Sequence, residues 1–210
     1  MNHPDMGDIH APAGGPSGDG AVVPSLKRSL LTGALGFCLA SLCVFATVAF
    51  AERWMYTRLG LYGAYAAWTA LFILLGGGAL GSLVVGRWRL PRFYVLFGLA
   101  FFAYAAGWTA AYFILRGAAG EWAGALLGSL LMGAVFAAGF GVARSTLNLS
   151  AVLFVAHCVG YFVGSMLNNY VGGRAGMLLW GAVYGLCLGA GLGAVLHFAQ
   201  AAGARAPGPE

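Results

Sequence analysis

Leu149–Val171 reads LSAVLFVAHCVGYFVGSMLNNYV, with no Asp, Glu, Lys or Arg anywhere in it. A helix rises about 1.5 Å per residue, and the hydrocarbon core of a bilayer is about 30 Å thick, so a run of this length crosses one with some tilt. It must cross as a helix, because in lipid every backbone N–H and C=O needs a partner within the protein. A membrane barrel would instead show shorter segments that alternate polar with apolar residues.

Five further runs share these properties: Leu30–Ala51, Leu61–Val85, Phe93–Leu115, Trp122–Val142 and Met177–Phe198. Of the 210 residues, 60% are hydrophobic and only 8% charged, and mean hydropathy is +0.83. Soluble domains carry about 25% charged residues. The expected fold class is therefore an all-α integral membrane bundle of six transmembrane helices with the lipid bilayer as its solvent. Short connections make sequential helices antiparallel neighbours.

Residues 1 to 24 are rich in Pro, Gly and Asp and lack an apolar period, the composition of a disordered tail. The polar stretch QAAGARAPGPE closes the chain. The expected organisation is thus a 1–24 tail, one transmembrane domain over 25–200 and a polar tail over 201–210.

The basic residues give an orientation. With the N-terminus inside, Lys27, Arg28, Arg87, Arg89, Arg92, Arg144 and Arg205 face the cytoplasm, and Arg53, Arg58, Arg116 and Arg174 face the opposite side. That bias places both termini in the cytoplasm of a bacterial-type inner membrane. The net charge of +5 is scattered between apolar runs, which argues against a nucleic-acid partner. A competing reading concerns Ala49-Phe50-Ala51, which has the small-x-small form of a signal-peptidase site; cleavage there would leave five spans. The preceding apolar stretch exceeds the 7–15 residues usual for a signal core, which favours retention.

The 35 glycines are arranged. Gly181, Gly185, Gly189 and Gly193 repeat every four residues; in the fourth run, Trp122–Val142, Gly124 and Gly128 repeat likewise, and Ala125, Ser129, Gly133, Ala137 and Gly141 form a second small-residue line. Small residues at this spacing let two helix backbones approach closely. They fit either packing inside the bundle or an interface with a homo-oligomer or another membrane subunit. The aromatics of Phe93–Leu115 are expected as bulk against these smooth faces.

Polar residues in the bilayer are costly and mark cavities or interhelical hydrogen bonds. On Leu149–Val171, Ser150, His157, Tyr161, Gly164 and Asn168 lie within about 60° of one another at 100° per residue, with Asn169 just off the line. Ser150, His157, Tyr161, Asn168 and Asn169 are the expected cavity-lining set. His157 and His197 would lie within about 10 Å of each other in depth at 1.5 Å per residue, but no further intramembrane His or carboxylate completes a metal or haem site.

His157-Cys-Val-Gly160-Tyr-Phe-Val-Gly164 resembles the His-x-x-Gly-x-x-x-Gly helix of rhomboid proteases, a family with a six-helix core. The resemblance implies a Gly-x-Ser-Gly nucleophile on another membrane helix, and the match here, Gly15-Pro-Ser17-Gly18, lies in the tail. Without a buried serine the histidine has nothing to activate. There is also no Walker loop, dinucleotide fingerprint or metalloprotease motif. The four cysteines fall inside apolar runs, without a disulfide or zinc spacing. The expectation is a protein without enzymatic activity or cofactor, acting in small-solute transport or as a substrate-capturing subunit. The alternative is a structural or assembly protein that packs through its glycine ridges.

Overall fold

The computed structural model describes residues 22–86 and 89–204, and these contain helices and no strand. Five helices are long and apolar enough to cross a membrane: α1 (Leu26–Leu80), α2 (Arg89–Leu115), α3 (Gly117–Gly139), α4 (Thr146–Val171) and α5 (Gly173–Gly203). Short 3₁₀ turns at Gly81–Leu83 and Ala143–Ser145 lead out of α1 and into α4. Most of the 1–24 tail, together with Arg87, Trp88 and Arg205, lies outside the described residues.

The first two apolar runs are joined in α1, whose 55 residues would stretch about 80 Å if straight. It is not straight. Gly60 adopts φ 68°, ψ 179°, a region open essentially to glycine alone, and the two arms fold back on each other there. The Trp68 indole donates to the Thr47 hydroxyl at 3.0 Å, and the rings of Phe37 and Phe72 stack 5.6 Å apart. Residues 21 apart on a straight helix would be about 31 Å apart.

The α2–α3 and α4–α5 connections use the same device. Arg116 (φ 54°, ψ 167°) separates α2 from α3, and Gly172 (φ 72°, ψ 171°) separates α4 from α5. Residues 60, 116 and 172 therefore form three one-residue turns of similar conformation. Alternation of the antiparallel helices collects them at one end of the bundle.

α5 is the central helix, packed between α4 and the first arm of α1. Its glycine ridge decides how close that arm comes. A Cβ at Gly185 would lie 2.6 Å from Cys38 Cα, and one at Gly193 would overlap the Ser29 carbonyl. The Ser41 hydroxyl donates to the Gly181 carbonyl at 2.7 Å. On α3, a Cβ at Gly124 or Gly128 would come within 3.0 Å of the Trp108 or Tyr104 carbonyl oxygen. Both ridges thus meet helices of the same chain, and α2 supplies the aromatic bulk against the α3 ridge.

Two polar residues near the ends act as fasteners. Gln200, buried on α5, donates from Nε2 to the Leu83 carbonyl at 3.1 Å and accepts from the Val85 N–H at 2.9 Å. It satisfies backbone groups freed where α1 ends. α5 thus extends past 200, into the stretch expected as a polar tail. His197 Nδ1 donates to the Pro24 carbonyl at 2.8 Å, which fixes the chain where it enters α1.

Candidate functional site

The helices do not pack equally well along their length. α1 and α2 touch less than the other neighbouring helices do, and between them, in the half of the bundle nearer the one-residue turns, lies a cavity of about 330 Å³. Its wall is aromatic. α2 contributes Phe101, Tyr104, Trp108 and Tyr112, while the second arm of α1 contributes Tyr65, Trp68 and Phe72. α5 adds Trp180 and Tyr184, α4 adds His157 and Tyr161, and the first arm of α1 adds Phe45. No Asp, Glu, Lys or Arg lines it.

Helical spacing explains why these side chains converge. Tyr104, Trp108 and Tyr112 stand four apart on α2, as do Trp180 and Tyr184 on α5 and His157 and Tyr161 on α4, so each set shares a face. Trp108 and Tyr112 stack at 5.1 Å with 10° between planes. His157 stacks on Tyr161 at 5.3 Å and meets the Tyr184 ring edge-on at 5.7 Å. Such pairs contribute about 0.5–1.5 kcal/mol each beyond burial, enough to hold the wall in shape.

The polar groups of the wall are arranged as a chain. The Tyr184 and Tyr104 hydroxyls lie 3.0 Å apart, and the Tyr104 hydroxyl is hydrogen-bonded to His157 Nδ1. His157 is 1% exposed, near the middle of α4. Its Nε2 is buried and has no partner. The Tyr161 hydroxyl, whose ring stacks on the imidazole, donates to Glu121 Oε1 of α3 at 3.3 Å.

The expected cavity-lining set therefore divides. His157 and Tyr161 line the cavity. Ser150 is buried against Gly133 of α3, Asn168 packs on Gly176 across the turn into α5, and Asn169 is exposed. One face of a helix 26 residues long meets different neighbours along its length, so a shared angle does not mean a shared site. Gly164 on the same line is covered by the Trp180 indole.

What the sequence left unassigned is the aromatic wall itself. Tyr104, Trp108, Tyr184 and Trp180 carry hydroxyl or indole N–H groups at four-residue spacing inside apolar runs, the same cost signal that drew attention to His157. The two histidines do not share partners, since His157 is bonded to Tyr104 and His197 to Pro24. Among the described residues no group of three His, Cys, Asp or Glu is placed to hold a metal ion. His157 is bonded to a tyrosine rather than a serine; residues 15–18, which carry the rhomboid-like serine motif, lie outside the described residues. Compared with protein-family models, curated proteins and solved structures, the chain matches none.

Proposed function

We propose that this chain is a multi-pass protein of a bacterial-type inner membrane that captures a small uncharged amphipathic solute in the aromatic cavity, for transport or for handing on to a partner subunit. In this reading α1 crosses the bilayer twice, turning at Gly60, which makes six spans with both termini cytoplasmic. The orientation rests on the bias of Lys and Arg toward one set of connections. The protein binds and moves its solute without catalysis.

One observation carries the reading: a cavity of about 330 Å³, within the size range of small-molecule sites, walled by aromatics and furnished with one hydrogen-bonded Tyr184–Tyr104–His157 chain. Mostly apolar lining with a few convergent polar groups is the usual form of a ligand pocket. The assembly alternative has less support, because the ridges it would use, Gly181–Gly193 and Gly124–Gly128, are covered by α1 and α2.

The test is extraction of the purified protein with organic solvent and mass spectrometry of what is released. A small amphiphile should be recovered in near-stoichiometric amount from the wild type and be depleted at least tenfold from His157→Ala. Thermal unfolding in detergent should show that variant still folded. Equal recovery from a folded His157→Ala, or no bound molecule at all, overturns the cavity reading.

A further inference from the structure

A second hollow lies on the outer side of the same helix pair. It measures about 510 Å³ and runs between the second arm of α1 and α2. Its outer residues, Tyr62, Ala66 and Ala70 on α1 and Phe102, Ala106 and Ala110 on α2, are exposed and again spaced by four. Four residues line both the cavity and this groove: Tyr65, Thr69, Ala105 and Thr109. The two spaces are therefore neighbours across one thin wall, and three of its four members are small. The close α1–α2 contacts lie farther along the pair, where Gly77 meets Tyr94 and Gly81 meets Leu90.

Inside the cavity three buried groups have no partner: His157 Nε2 and the indole nitrogens of Trp108 and Trp180. A phenol is a stronger donor than a neutral imidazole N–H, and an imidazole nitrogen is a stronger acceptor than a phenol oxygen. Tyr184 accordingly donates to Tyr104 and Tyr104 to His157 Nδ1, and the remaining imidazole proton sits on Nε2. That N–H is buried without an acceptor, at a cost of about 1–3 kcal/mol. A ligand oxygen would supply the acceptor.

We infer that the captured molecule is a bilayer-dissolved lipid with a planar, carbonyl-bearing ring. It enters sideways between α1 and α2, so that the ring stacks in the cavity with a carbonyl toward His157 Nε2 and the hydrocarbon tail lies in the outer groove. The inference rests on the proposed capture of an uncharged amphiphile and adds its chemical class and its route. Flat aromatic walls suit a flat ring, since offset stacking is their preferred contact. Aromatic walls also attract organic cations, but the end of the bundle nearest the cavity carries Arg53, Arg58, Arg116 and Arg174 against Glu52 and Glu121. Its field opposes a cation, and a hydrocarbon-facing entry opposes any permanent charge.

The experiment uses the full chain in lipid nanodiscs and two probes, decylubiquinone and its tailless ring, 2,3-dimethoxy-5-methyl-1,4-benzoquinone. Quinones quench indole fluorescence, and Trp68, Trp108 and Trp180 line the cavity, so binding is read as saturable quenching. Wild type should bind both, the tailed probe more tightly. Ala106→Phe, in the outer groove and not in the cavity lining, should weaken the tailed probe at least tenfold and change the tailless one less than twofold; Ala106→Leu, a smaller intrusion, should give a reduced version of the same split. His157→Ala should weaken both. Equal binding of the tailed probe by wild type and both Ala106 variants overturns the lateral route and leaves the cavity standing. A bound molecule found by mass spectrometry together with no saturable quenching by either quinone overturns the ligand class. Protection of the indoles by tetramethylammonium overturns it in favour of a cation.

Discussion

The first arm of α1 and helix α5 run beside each other through two unlike environments. Toward the Ser29/Gly193 end they touch backbone to backbone, with Gly33, Gly189 and Gly193 leaving no room for a side chain. Toward the Gly60 end the same two helices stay close, the Phe45 Cβ against Gly181, but rings fill the space beside them: the Phe45 ring lies 5.7 Å from that of Trp180 and 6.1 Å from that of Tyr184. One helix pair is thus backbone against backbone at one end and propped by aromatic rings at the other. The cavity lies at the aromatic end. Where no hydrophobic effect drives two helices together, side-chain size and interhelical hydrogen bonds set how near they come.

The largest effect is expected where the two backbones come closest. Gly193→Leu puts a branched side chain onto the Ser29 carbonyl, and the helices must separate along the whole contact. Overpacking costs about 1–3 kcal/mol where side chains can yield; here the obstacle is backbone, so the folded protein should fail to accumulate. Gly193→Ala should accumulate with a clearly lowered melting temperature in detergent. A Gly193→Leu protein that melts like the wild type would mean that the ridge does not hold the closed end.

At the propped end the same kind of test should cost less. Phe45→Ala removes a half-buried ring that borders a cavity, so its cost should fall below the roughly 3–5 kcal/mol of a fully packed core phenylalanine. Its functional effect should be larger than its effect on stability: with the prop gone Trp180 can move inward, and saturable quinone quenching should weaken several-fold. A variant that loses stability as severely as Gly193→Leu would show that the two ends are not distinct.

How much of this was legible in the chain differs between the two ends as well. The helical class and the small-residue ridges were readable, because runs without charge and a four-residue glycine repeat are local patterns. Which helix each ridge meets was not, since Gly181 and Ser41 are far apart in sequence and any small-residue line fits several partners. The aromatic wall was hidden for a related reason. Tyr104 and Trp108 read as bulk for a glycine face, and they are that, with ring and backbone carbonyl both against Gly128 and Gly124, while the same rings also line the cavity. His157 stood out because polar groups are rare in lipid, and it reached the site. Ser150 and Asn168 stood out for the same reason and are placed elsewhere, since rarity marks cost and does not give an address. The glycine turn at residue 60 showed in sequence only as a gap between two apolar runs.

A smaller effect concerns the turns at the propped end. Gly60 and Gly172 occupy a conformation suited to glycine, whereas the third member of the set, Arg116, adopts it with a side chain. Residues held there cost about 1–3 kcal/mol. Arg116→Gly should therefore raise stability by about 1 kcal/mol once the greater freedom of the unfolded glycine is subtracted, seen as a higher melting temperature. Gly60→Ala should lower it by a similar amount. If Arg116→Gly is neutral or destabilising, the guanidinium has a role at that end that offsets the strain.

The smallest expected effect separates two causes of closeness between the first arm of α1 and α5. Ser41 is fully buried, and its hydroxyl donates across the helix pair to Gly181. Interhelical hydrogen bonds in membranes average only about 0.6 kcal/mol, and Ser41→Ala leaves the Gly181 carbonyl its place in the α5 ladder, so nothing is orphaned. Ser129→Ala is the matched comparison, because Ser129 is equally buried and its hydroxyl has no partner. Ser41→Ala should lower stability by about the average bond, and Ser129→Ala should change nothing or stabilise slightly, as measured by melting in the same detergent. If the two variants behave alike, the hydrogen bond is incidental and the helix pair is held by backbone dispersion and the absence of side chains. In that case every added carbon on the ridge should cost more than any hydroxyl removed from it.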